Sequence, residues 1–174
     1  MANAFATHSV GKSLTTYLKN AYEAQTEITH PFGFRVISAG ELAELATPPR
    51  NTLTLFLYRI AQNEQVRGNR TPGSPIHANP PLALDLHYLL TTWADSASME
   101  QTVLTWAMRE IQMHPVLDIS NLSLEGGWDA SDAVQLVPAN LTNDELAGVW
   151  RLLSPPYHLS VSYIARGVRI DTHS

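Results

Sequence analysis

The sequence predicts an α+β fold, a mixed and mostly antiparallel sheet with helices packed on it. Three observations lead there. In residues 79–93 (NPPLALDLHYLLTTW), Leu82, Leu84, Leu86, Tyr88 and Leu90 fall on every second residue, the period of a strand with one face on a core. Leu53, Leu55 and Leu57 repeat that period in residues 52–60. Elsewhere the apolar spacing changes to that of a helix, as in Val10, Leu14, Tyr17, Leu18 and Ala21.

Taken in order, residues 8–23 form an amphipathic helix with Thr7 or Ser9 as its cap. Residues 30–37 (HPFGFRVI) are extended, and a short helical turn over 41–46 starts from Ser38 and stops at Pro48-Pro49. Residues 52–60 (TLTLFLYRI) are apolar on both parities, as in a central strand covered on both sides. Residues 62–78 are polar, aperiodic and carry Arg67 and Arg70. A connection of that length inside a compact domain suggests a functional loop. Pro80 and Pro81 precede the strand at 82–93 but sit outside its interior.

Met99, Val103, Trp106, Ala107, Ile111 and His114 line one side of a helix over 95–114, capped by Ser96 or Ser98 and ended by Pro115. Residues 116–131 read as loop or weak hairpin, with Trp128 beside two glycines placed for an exposed contact. A short strand covers 133–137. A helix opens on the Thr142-to-Glu145 capping box and stops at Pro155-Pro156. Residues 158–170 form the last strand, and the whole of 1–174 is read as a single domain.

Composition narrows the function. The net charge of −5 argues against a sequence-independent nucleic-acid binder. With no cysteine, disulfide scaffolds, thiolate catalysis and Cys-ligated zinc are excluded. No window approaches the roughly 18 apolar residues of a membrane span, so no membrane insertion and a cytoplasmic chain are expected. The low charged fraction, 16%, hints at surface covered by neighbouring subunits.

The search for chemistry leaves little. Asp85 and His87 share one strand face, but a metal site needs three or four convergent ligands. No GxSxG elbow and no glycine-rich phosphate loop occurs. The carboxylates at Glu41, Glu44, Asp144 and Glu145 sit at helix starts, where the helix dipole accounts for them. No catalytic, cofactor-binding or metal-ligating residue is therefore assigned. The interface candidates are Arg67, Arg70, Trp128, His158, Ser160 and Ser162.

Several segments together resemble a known family: Leu57, Tyr58 and Asn63; then Pro81, Leu82, Leu84, Asp85, Leu86 and Tyr88 to Thr91; then Leu159, Ser160 and Tyr163. The ordered set is similar to the tail-terminator, or cap, proteins of extracellular contractile injection systems of the anti-feeding-prophage type. The resemblance implies a phage tail-terminator-like fold and a structural, non-enzymatic role without a cofactor. It implies a homohexameric ring on the distal end of inner tube and sheath, ending polymerisation and holding the extended sheath. Its partners would be itself, the inner-tube protein and the sheath protein, within a particle assembled in the cytoplasm. An open edge of the terminal strand and the 62–78 loop are expected among the contacts. Two other readings stand beside it: a small hydrolase-like enzyme with its site near Asp85 and His87, and a generic monomeric binding module.

Overall fold

The structure is a computed structural model and describes residues 2–63 and 80–172. Its elements are α1 (Ala6–Ala24), β1 (Gly33–Val36), α2 (Ala39–Glu44), β2 (Thr52–Gln62) and β3 (Leu82–Trp93), followed by α3 (Ala97–Met113), β4 (Val116–Leu117), β5 (Val134–Ala139), α4 (Asn143–Trp150) and β6 (Ser160–Ile170). One turn of 3-10 helix, Leu124–Gly126, lies between β4 and β5. The strands form one sheet in the order β1-β2-β3-β6-β5-β4. β1 runs parallel to β2 and every other pairing is antiparallel. The mixed, mostly antiparallel α+β architecture matches the sequence reading.

Two expectations need correction. The terminal strand β6 is not an edge: it lies between β3 and β5, with both backbone sides paired. The edges are β1 and the two-residue β4, and β4 is too short to leave a periodic signature. The cap of α1 also differs. Phe5 occupies the N-cap without a side-chain bond, while Ser9 is fully buried and turned toward the loop before β5. The other caps follow the expected chemistry, because Ser38, Ser96 and Thr142 each accept the backbone N–H three residues on.

The sheet buries both faces unequally. On the first, Leu53, Leu55, Leu86, Tyr88, Leu90, Tyr163 and Val168 pack against Val10, Leu14 and Leu18 of α1 and Val103, Trp106 and Ala107 of α3. On the second, Phe56, Leu89 and Trp93 meet Leu42 of α2, Val149 and Trp150 of α4, and Leu153. Each fully buried aliphatic side chain contributes about 1.5–3 kcal/mol, so the first core supplies most of the hydrophobic stabilisation. β3 is therefore apolar on one parity at its start and on both toward Trp93, where α4 closes over it.

Two irregularities position the second face. The β2–β3 register jumps between Leu57 and Arg59, so Tyr58 is the extra residue and Arg59 stands opposite His87. The β3–β6 register jumps between Leu84 and Leu86, where Arg166 and Gly167 together stand against the single residue Asp85. Gly167 has φ 91°, and a Cβ there would lie 2.8 Å from the Ala133 carbonyl oxygen, so the backbone requires glycine.

Candidate interaction surface

Trp128 does not have the exposed position expected from its Gly-Gly neighbourhood. It is 9% exposed and its indole Nε1 donates to Ser9 Oγ at 2.8 Å. Gly126 makes the room, since a Cβ there would come within 2.2 Å of that same nitrogen. Ser9 and Ser123 share a hydroxyl bond of 2.8 Å, and the Ser123 amide donates to Ser13 Oγ at 2.8 Å. The loop is thus pinned to α1 by a buried polar network. Ser9 and Ser13, four residues apart on the inner side of α1, were the sequence sign of it.

Ser160 and Ser162 are also buried and serve the subunit itself. Trp150 Nε1 donates to Ser160 Oγ at 2.9 Å, and the Ser162 and Tyr58 hydroxyls lie 2.7 Å apart. Half-buried His158 packs on Trp93, ring centroids 4.3 Å apart, and stacks on Trp150 at 6.4 Å. These three residues hold α4 and the start of β6 against the second sheet face. Arg67 and Arg70 lie outside the described residues.

α4 covers only part of that face. Beyond it, cross-strand pairing places Arg59, His87 and Ile164 side by side, with Arg166 two residues along β6 from Ile164. Arg169 pairs with Ala83, and Asp85 lies between Ala83 and His87 on the same parity. A trough of about 460 Å³ runs between this strip and α4, with Tyr58, His87 and Ile164 on its floor and Leu141, Glu145 and Leu152 on its wall. Asp85 is 3.5 Å from the Asn63 side-chain amide with either oxygen, too long for a strong bond. The ion pairs between two described residues lie elsewhere: Lys12 and His8 with Glu125, Arg50 with Asp95, and Arg109 with Glu27. Among the described residues, the guanidiniums of Arg59, Arg166 and Arg169 thus line the strip with the carboxylate of Asp85.

His87 reports the field of this strip. Its pKa is lowered, first by burial and then by the Arg59 charge, with Asp85 opposing and Arg166 adding to the decrease. The unfolded chain accordingly takes up this proton more readily than the folded one. Stability falls as pH drops below the ordinary imidazole value of 6.5 toward the lower folded value. Denaturation at pH about 7.5 and about 5 checks this, and the wild type should lose more stability than His87→Gln across that interval.

Among the described residues no three His, Asp or Glu side chains gather closely enough to hold a metal ion, and no helix is long and apolar enough to cross a membrane. The geometry is that of a partly covered sheet face with cationic and apolar borders.

Residues 9–174 match the family described as the Pvc16 N-terminal domain. The chain belongs to that family. No curated protein matches it. The fold of this Pvc16 N-terminal domain is shared with two solved structures. One is the PVC sheath/tube terminator of an extracellular contractile injection system in its extended state, with TM-score 0.59 and 17% identity over 94% of this chain and 56% of that one. The other is the anti-feeding prophage cap, a tube-terminating cap, with TM-score 0.53 and 15% identity over 94% of this chain and 54% of that one. The Pvc16 N-terminal domain seen here thus spans a little over half the length of either structural relative.

Proposed function

We propose that this chain is a structural, non-enzymatic subunit that closes the end of the inner tube and sheath of a phage-tail-like contractile injection particle. Copies of it form a ring, a hexamer in register with a sixfold tube, which stops polymerisation and holds the extended sheath. Residues 1–174 act as one unit, assembled in the cytoplasm with the inner-tube and sheath proteins before any release of the particle. Arg67 and Arg70 are carried forward as docking cations within that assembly.

The observation that supports this reading best is the likeness to the PVC sheath/tube terminator across 94% of the chain, joined to membership of the Pvc16 N-terminal domain family. The strip of the second sheet face that no described element covers fits a subunit that meets neighbours. Negative-stain microscopy of the chain mixed with its tube and sheath proteins should show rings seated on tube ends and tubes of limited length. A chain that remains monomeric with both proteins, and leaves tube length unchanged, would refute the reading.

A further inference from the structure

Charge is distributed unevenly along this chain. From Arg109 to Arg151 there is no intervening lysine or arginine, yet seven carboxylates occur: Glu110, Asp118, Glu125, Asp129, Asp132, Asp144 and Glu145. Glu125 is engaged with Lys12 and His8, and Glu145 with the Thr142 cap. Asp118 sits in the exposed turn after β4. Its Oδ1 accepts from the Ser120 amide at 2.9 Å and the Ser120 hydroxyl at 2.5 Å, and burial scarcely touches it. Around that turn lie Met113, Val116 and Ile119, which are 54%, 44% and 42% exposed. An anionic tip flanked by exposed apolar side chains is the complement of a cationic strip with an apolar border.

We propose that the 118–121 turn of a second copy docks on the second sheet face, with Asp118 against Arg59 and Arg166 and Ile119 against Ile164 and Leu152. The two halves of this contact lie on different sides of one subunit. The loop containing the turn is fastened to α1 over the first core, through Ser123 and Ser9, whereas the strip belongs to the opposite face. A contact between two different surfaces is heterologous, so each docked copy presents a fresh site to the next, and the series is a ring where the rotation per step closes, as the ring reading requires. Guanidinium forks suit a carboxylate geometrically, and opposite charge steers the encounter. Both arginines lie clear of the ion pairs already named, so docking breaks none of them. This inference rests on the ring reading and supplies the contact that reading needs.

The test is a charge swap followed by sedimentation velocity over a concentration series. Arg59→Glu with Arg166→Glu reverses the strip. Asp118→Asn with Asn121→Lys reverses the turn, while the introduced amide oxygen still accepts from Ser120 and keeps the cap. Each variant alone should need at least about tenfold higher concentration than wild type to associate, a loss of about 1.4 kcal/mol. An equimolar mixture should recover most of the loss, because each reversed surface then finds its complement on the other variant. Circular dichroism and melting must match the wild type. Should the Glu pair fail to fold, Arg59→Gln with Arg166→Gln is expected to shift association in the same direction. Association of either variant at the wild-type concentration, or a mixture no better than its components, overturns this contact while leaving the ring reading intact. A wild-type chain that never associates, alone or with tube protein, overturns both.

Discussion

Trp128→Ala is expected to lower the free energy of unfolding by about 3–5 kcal/mol, the range for removing a large aromatic side chain from a core. The indole is 9% exposed and fills the space that Gly126 leaves open. Its loss also removes the donor to Ser9, within the network that fastens the loop to α1. Trp128→Phe keeps most of the ring volume and costs less, chiefly the hydrogen bond at about 1 kcal/mol. Chemical denaturation measures both effects. If Trp128 were a docking anchor instead, alanine would leave unfolding unchanged and weaken association, so running sedimentation on the same samples separates the two roles.

Trp93→Ala should destabilise by a similar amount, about 3–5 kcal/mol, but with a different distribution. Trp93 is 1% exposed, donates to Thr54 Oγ1 at 2.9 Å, and contacts the rings of Trp150 and His158. It is the centre of the smaller core, whose other buried rings are Trp150 and Phe56. Truncation strands the buried Thr54 hydroxyl and undermines α4 first. Hydrogen exchange should accelerate most over 143–153, with α1 and α3 retaining their protection. A uniform loss of protection across the chain would show instead that the two cores unfold as one unit.

Much of the fold was legible because it is written in local periods. The alternate leucines of β2 and β3, the helical stripes of α1 and α3, and the caps at Ser38, Ser96 and Thr142 are each set by neighbours in sequence. Sheet order is not local. Nothing in residues 160–170 states that β5 will pair on the far side of β6, so the terminal strand read as an edge. The candidate surface was less legible for a related reason. Alternation counted straight through β2 places Arg59 with the leucines, and only the extra residue at Tyr58 turns it to the side of His87. The hydroxyls of Ser160 and Ser162 bond Trp150 and Tyr58 and the ring of His158 packs on Trp93, all within the same subunit, and none of these long-range partners is visible in the local sequence. Trp128 was misplaced because a Gly-Gly neighbourhood signals a turn equally well when glycine is there to admit a ring.

The two margins of the sheet carry a consequence for growth. β1 has four residues and β4 two, and β1 covers only Thr52–Leu55, so among the described residues the β2 backbone from Phe56 to Gln62 has no strand beside it on that margin. β3 and β6, of twelve and eleven residues, are interior. Open-ended strand addition, the route by which exposed sheets template fibres, therefore has its longest foothold on that stretch of β2. For a subunit proposed to end a polymer, a neighbour that covered this stretch would remove the margin on which further strands could add.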